Sequence, residues 1–472
     1  MVKNILFTLL FFVAIVGCSD DDEKYQTIID GETEITYIPD DKFEEWLIRL
    51  GYDDKKDNWV PTKNIKNLER LEVDDGYPYD ITNLTGIEDF ENLRVLNISG
   101  NEISELDLSK NKLISELYCG WTNIENLEIS HLKNLKTLEC DGIKITSLDV
   151  SQNAALRTLR CGDNDLNELD VSKNKYLVEL NCILTGLKEL DISQNPLLEN
   201  LNCDLNELTE LDLSKNDALT YLNCSRNKIR SIDVRDKKSL TQLWCDTNQL
   251  SELDVGNNTL LTALSCHSNN IPKLDVSQNI LLERLMIGGQ PIEKLDLSNN
   301  TLISYLIIGG NLIRSLDLSK NSLLNDLRIY DTPLESINLG EISSIEFIDI
   351  HNTLIKSLDV SNLSVLSFLW CSGSKLKELD LSNNSLLELL VCYENELTDL
   401  NLSQNLKLRT VFCYDNQLES LDTSPILNLG LLRCENNNLA CIQLNQAQMD
   451  RQKSDSRWTK DDTASYSLDC DQ

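Results

Sequence analysis

The sequence predicts a mainly β solenoid, with short strands stacked coil upon coil around one long apolar interior. Three observations predict it. Cysteine recurs every 21 residues, at 119, 140, 161, 182, 203, 224, 245 and 266. The same column continues as Ile287, Ile308, Ile329 and Ile350, then returns to cysteine at 371, 392, 413 and 434. It reaches back to Ile98 without an insertion, so sixteen steps of 21 separate Ile98 from Cys434 and mark 17 coils. Within a coil, apolar Leu159 and Cys161 alternate with polar residues, as a strand with one buried face requires. A strand that short finds a partner only in the next coil, so the coils stack about 4.8 Å apart.

Composition agrees. Of 472 residues, 41% are apolar and 25% charged, enough for a folded interior. Lys+Arg 43 against Asp+Glu 77 gives a net charge of −34, a field that repels phosphate backbones and anionic membranes. Nucleic acid is therefore not an expected partner. Three histidines leave little for His-based catalysis or metal binding, and 8 prolines and 18 glycines suit one regular object.

Taken in order, the chain opens with Lys3 and an apolar run from Ile5 to Val16, too short to span a bilayer. Residues 1–17 read as a signal peptide. Ile15-Val16-Gly17-Cys18 resembles a bacterial lipobox, looser in its middle than the commonest form. That resemblance implies cleavage before Cys18 and acylation of its sulfur. Ser19-Asp20-Asp21-Asp22-Glu23 resembles the export signal of surface-exposed lipoproteins in some Gram-negative bacteria. Residues 18–34 then form an acidic, flexible tether. In the segment 35–64, Pro39-Asp40-Asp41 opens a helix with Phe43, Trp46, Leu47 and Leu50 on one face, closed by Gly51. Val73 marks an early coil, 25 residues before Ile98, with four extra residues near Gly76-Tyr77-Pro78.

The unit itself reads Leu156-x-x-Leu159-x-Cys161-x-x-Asn164-x-Leu166-x-x-Leu169-Asp170-Val171-Ser172-x-Asn174. Its first eleven positions resemble the leucine-rich repeat signature LxxLxLxxNxL, with cysteine at the third apolar site. The resemblance covers residues 65–445, and the nearest family is that of the internalin-like bacterial surface proteins. It implies a leucine-rich-repeat solenoid with parallel strands on the concave face, and residues 35–64 resemble that family's helical cap. Asparagine is expected to satisfy backbone groups in the turn at 101, 164, 206, 227, 248, 269, 311, 395, 416 and 437. Thr122, Thr185, Thr332, Thr353, Ser374 and Gln290 are weaker substitutes there, while Ile143 cannot serve. The second half, Leu166-x-x-Leu169-x-Val171-x-x-Asn174, is too short for a regular helix, so short strands or tight turns are expected on the convex side.

The cysteine ladder asks for an apolar filler, because four coils place isoleucine there. Neighbouring ladder cysteines are held about 4.8 Å apart, too far for bridges that want Cβ atoms about 3.8 Å apart. Cys441 and Cys470 lie outside the ladder, and in an oxidising exterior they are expected to pair and close a C-terminal cap at 446–472. Chemistry is otherwise scarce. His267 follows Cys266, but alternation points them to opposite faces, and no zinc, phosphate-loop or nucleophile motif occurs. No enzyme, cofactor or metal is expected. The convex column Asp149, Asp170, Asp191, Asp212, Asp233, Asp254, Asp275, Asp296 and Asp317 is expected to accept backbone or serine hydrogen bonds rather than calcium.

One asymmetry is informative. Outward residues before the ladder are Tyr118, Glu139, Arg160, Asn181, Asn202 and Asn223 early on, but Trp370, Val391, Phe412 and Arg433 late. Tyr330, His351, Tyr393 and Tyr414 follow the ladder, and Phe347, Phe368 and Leu389 form a further column. Gly288, Gly289, Gly309 and Gly310 leave a bare floor beside Met286 and Ile307. Clustered exposed aromatics mark a contact surface, so Tyr330, His351, Phe368, Trp370, Val391, Tyr393, Phe412 and Tyr414 are the candidate ligand-binding residues. The expected function is non-catalytic binding of a macromolecule at the cell exterior, a protein or a polysaccharide, by an outer-membrane lipoprotein touching the membrane only through its lipid. Glycan capture or a structural role in nutrient uptake is the alternative.

Overall fold

The structure, a computed structural model, describes residues 27–30, 33–73 and 80–470. The signal segment and Cys18 lie outside the described residues.

Eighteen parallel strands form one sheet from Arg70–Glu72 to Leu431–Arg433. Register advances by one unit per strand, so Leu138 pairs with Leu159 and Leu159 with Leu180. The first step is longer, Leu71 to Leu96, as the position of Val73 implied. This is the expected solenoid. Ladder cysteines, ladder isoleucines and most signature leucines are buried in one continuous core, with Leu106, Leu127, Leu169 and Leu295 partly buried against it. The convex side is built of turns, with one added pair of strands, Ser315–Asp317 and Ser336–Asn338.

Two asparagine columns satisfy the backbone of the turns. Asn164 donates through Nδ2 to the carbonyls of Cys140 at 2.9 Å, Cys161 at 3.0 Å and Gly162 at 3.0 Å. Its Oδ1 accepts the Ile145 amide at 3.1 Å. Thr122 and Thr185 each reach only their own coil's cysteine carbonyl, at 2.9 and 2.8 Å, among backbone groups. In the second column, Asn174 donates to the carbonyls of Val150 at 3.1 Å and Asn153 at 3.0 Å, both in the preceding coil, so it joins two coils.

Between them lies a column that sequence reading missed. Two residues after the ladder the backbone is left-handed in coil after coil, at Trp121, Asp163, Leu184, Leu205, Arg226 and Thr247 among others. Gly289 and Gly310 occupy this column, with φ of 61° and 55°. In the isoleucine coils the strands lengthen to five residues, at Arg284–Gly288, Tyr305–Gly309, Asp326–Tyr330 and Phe347–His351. There the turn column holds Gln290, Asn311, Thr332 and Thr353. Asn311 Nδ2 donates to the Gly309 carbonyl at 3.1 Å, without the span of two coils that Asn164 makes.

At the amino end, Asp40 caps the Asp41–Arg49 helix by accepting the Lys42 and Phe43 amides. Its second oxygen accepts the Thr82 amide, the Thr82 hydroxyl and the Asn83 amide, fastening the helix to the first coils. Phe43 and Leu47 are buried, but Leu50 is 44% exposed, because the helix ends at Arg49 and Leu50 leaves its apolar face. Thr27–Asp30 and Thr33–Tyr37, expected to lie partly in the tether, pair as antiparallel strands, and Thr33–Tyr37 pairs also with Trp59–Pro61. The alternation Thr33-Glu34-Ile35-Thr36-Tyr37 has the β-branched and aromatic content of a strand. Residues 27–30 and 33–34 are thus strand where a flexible tether was expected.

At the carboxyl end, Leu421–Asp422, Cys441–Gln443 and Ser465–Ser467 form a small parallel sheet. The Gln446–Gln452 helix starts with a capping box of Asn445 and Gln448. Trp458 is buried and donates through Nε1 to the Gly430 carbonyl at 2.9 Å. Cys441 and Cys470 form a disulfide with Cα atoms 5.8 Å apart.

Candidate binding face

The outward columns of the concave sheet place side chains of neighbouring coils in register, so large residues must stack or part. They stack. Tyr330 and His351 lie 5.4 Å apart with rings 10° from parallel, and His351 and Trp370 lie 5.2 Å apart. Tyr393 stacks on Tyr414 at 4.4 Å, and the Arg433 guanidinium covers Tyr414 at 4.5 Å. In the adjacent column Phe347 meets Phe368 at 5.9 Å. Arg328 sits over Phe347 at 4.6 Å and over Tyr305 at 5.6 Å, and Arg284 covers Tyr305 at 4.4 Å.

Polar partners fix the rings. His351 Nδ1 lies 2.5 Å from Asp349 Oδ1, and Trp370 Nε1 donates to Ser372 Oγ at 2.6 Å. Burial pushes the Asp349 carboxyl up, against the hydrogen bond to His351, which lowers it. Asp326 clamps Arg328 with two bonds of 2.8 Å.

Seven of the eight candidates meet on this face, and Phe368 is the most open at 40% exposure. Val391 does not belong: it is 4% exposed, because its register neighbours Trp370 and Phe412 close over it. The bare floor is also corrected. A Cβ at Gly309 would overlap the Tyr330 ring, which lies across that glycine. Gly289 and Gly310 answer a left-handed turn rather than a ligand. Sequence reading missed Arg284, Tyr305, Arg328 and Asp349. Asp349-x-His351 places both side chains on one face of one strand, and that spacing was the available signal.

Elsewhere the residues are structural. Ladder thiols are buried and free, and burial pushes Cys119, Cys182, Cys224, Cys266 and Cys371 up to about 12. His267 is exposed while Cys266 is buried. His131 bonds the Leu108 carbonyl through Nε2 at 2.8 Å. Convex aspartates accept the amide two residues on, as Asp170 does from Ser172 at 2.8 Å, which holds that carboxyl below its usual range. Among the described residues no three His, Cys, Asp or Glu side chains converge as metal ligands, and no helix is long and apolar enough to cross a membrane.

No family model matches the chain, and no curated protein sequence does. Solved structures do. The functional domain of InlJ from Listeria monocytogenes, which includes a cysteine ladder, is 30% identical, with a TM-score of 0.61 over 87% of this chain and 82% of that one. The LRR protein LIC12759 from Leptospira interrogans is 21% identical, with a TM-score of 0.61 over 81% and 99%. The ectodomain of the Arabidopsis receptor kinase HAESA, in complex with a peptide hormone ligand, is 18% identical, with a TM-score of 0.64 over 86% and 72%. The last two share the fold. With its 21-residue coils, its buried cysteine ladder and its likeness to the listerial domain, the chain belongs to the internalin-like leucine-rich-repeat family.

Proposed function

We propose that the chain is a non-catalytic lipoprotein, anchored through acylated Cys18 at the outer face of a Gram-negative outer membrane, that binds a protein through the concave band from Tyr305 to Tyr414. The observation that carries the protein reading is the stacking itself. Tyr330 is covered by Gly309 and His351, His351 by Tyr330 and Trp370, Phe347 by Arg328 and Phe368, and Tyr414 by Tyr393 and Arg433. A sugar ring stacks its C–H bonds on an open aromatic face, and on Tyr330, His351, Phe347 and Tyr414 both faces are occupied. What these four rings offer is a row of edges on a rigid sheet, which fits apolar side chains and peptide groups of an extended or flat protein surface. A similarly folded receptor ectodomain, seen with a peptide hormone, supports the capacity at the level of the fold.

The test compares wild type with a Trp370→Ala, Phe412→Ala double variant, each displayed on cells, by cross-linking to host or neighbouring-cell proteins and by a glycan array. The expected result is a cross-linked protein that the variant loses while its unfolding midpoint shows it folded, with the array silent. Retention of that partner by the folded variant, or saturable glycan binding by wild type, refutes the reading.

A further inference from the structure

The flank of the solenoid that leads into the strands carries an apolar stripe that neither the repeat nor the concave band explains. Each coil enters its strand through a buried residue, which is Leu261, Leu282, Ile303 and Leu324 in four successive coils, all at 0% exposure. The residue just before it lies outside the core, and the fold asks nothing of it. It is Asn134, Ala155, Ser239, Lys407 or Asn428 in other coils. In these four it is Leu260, Leu281, Leu302 and Leu323, which are 36–52% exposed, and Ile280 beside them is 55% exposed. The stripe also lacks charge. Across 257–262, 278–283, 299–304 and 320–325 the charged residues are Glu283 and Lys320, which cancel, in a chain that is 25% charged with a net charge of −34. An apolar patch rimmed by Asn, Thr and Ser has the composition of a protein contact.

We propose that a second copy of this chain docks on the stripe, antiparallel, about a twofold axis that passes between the coils of Leu281 and Leu302. Pitch points to that occupant. The leucines recur once per coil, about 4.8 Å apart. A partner meshes with all four only if its own side chains recur at the same pitch, as those of another copy do. Order points to it too. Along the stripe, Ser239, Leu260, Leu281, Leu302, Leu323 and Ser344 read the same in either direction. A twofold contact requires that self-complementarity, because each residue meets its counterpart from the opposite end. Two chains of −34 repel, and a flank without net charge lets them approach. Charge also selects the direction. In the antiparallel pair Glu283 faces Ser304 of the second copy, and Lys320 faces Asn257. In a parallel pair each would face its own like charge. The antiparallel axis runs along the normal of the concave sheet, so both concave faces stay on one side and neither is covered.

Sedimentation velocity of the full chain over a concentration series tests this, with thermal unfolding to show each variant folded. The expected result is a dimer that a Leu281→Glu, Leu302→Glu double variant reduces to monomer while keeping its unfolding midpoint. Leu312→Glu, at a leucine 48% exposed on the opposite flank, leaves the dimer intact. Oxidative cross-linking reads the register. Positions 259 and 322 lie three coils apart in one chain, about 14 Å by strand spacing and too far to bridge, but face each other across the axis. A chain carrying both Thr259→Cys and Ser322→Cys is expected to cross-link into dimers, and neither single variant is. A monomer at every concentration overturns the proposal, as does a dimer that survives Leu281→Glu, Leu302→Glu. Cross-linking by Thr259→Cys alone, or none by the double cysteine variant, overturns the antiparallel register.

Discussion

Asn164 fixes a turn of the chain with one side chain: three carbonyls receive its Nδ2 and one amide reaches its Oδ1. Asn164→Ala leaves those groups buried and unpaired, and the expected loss is roughly 3–5 kcal/mol in denaturant unfolding. A loss below about 1 kcal/mol would show that water replaces the side chain. The turn role was legible, since asparagine recurs at the right place. The left-handed residue one position earlier was not, because Trp121, Asp163, Leu184 and Thr247 share no side-chain chemistry. What they share is a backbone torsion imposed by the closing turn. It costs an L-residue about 1–2 kcal/mol. Thr247, β-branched with φ of 52°, is the worst suited. Thr247→Gly is expected to raise stability by about 1 kcal/mol, less the entropy glycine adds to the unfolded chain. An unchanged or lower unfolding midpoint would contradict that.

The cysteine ladder is an element with its own pH dependence. Thiols in the folded coils are pushed up to about 12, at Cys119, Cys182, Cys224, Cys266 and Cys371, while unfolded thiols ionise near 8.5. The folded state keeps protons that the unfolded state releases. The ladder's contribution is thus whole below about pH 8.5 and is lost as pH rises toward 12, at about 1.4 kcal/mol per pH unit for each thiol. Stability measured between pH 8 and 11 is expected to fall steeply, and less steeply in a Cys182→Ile, Cys224→Ile variant. Equal slopes in the two proteins would remove the ladder as the cause. Isoleucine already serves at 287, 308, 329 and 350, so the apolar role of the column was legible in the sequence. The five-residue strands of those coils were not, since they depend on how Gln290, Asn311, Thr332 and Thr353 meet the backbone in three dimensions.

At the scale of the whole molecule, periodicity disclosed the solenoid, because 21-residue phase is written in residue type. The binding band was legible only as a location. Whether a ring shows its face or its edge is decided by the neighbour one coil away, and Val391 was misplaced for the same reason. The carboxyl end is held by the Cys441–Cys470 disulfide, which encloses residues 441–470 and staples the last strands to the cap. Reduction, or Cys470→Ala, is expected to lower stability by about 2–4 kcal/mol and to expose Trp458 fluorescence to quenchers first. Quenching of Trp458 that begins only with global unfolding would show that the cap does not fray on its own. One feature reaches beyond folding. From Ile98 to Cys434 every coil has the same length and offers the same ribs above and below, so recombination between neighbouring units of the gene adds or removes 21 codons without breaking the reading frame or the stack. The reach of the molecule is thus heritable in whole-coil increments, and selection can lengthen or shorten it as readily as it swaps a residue.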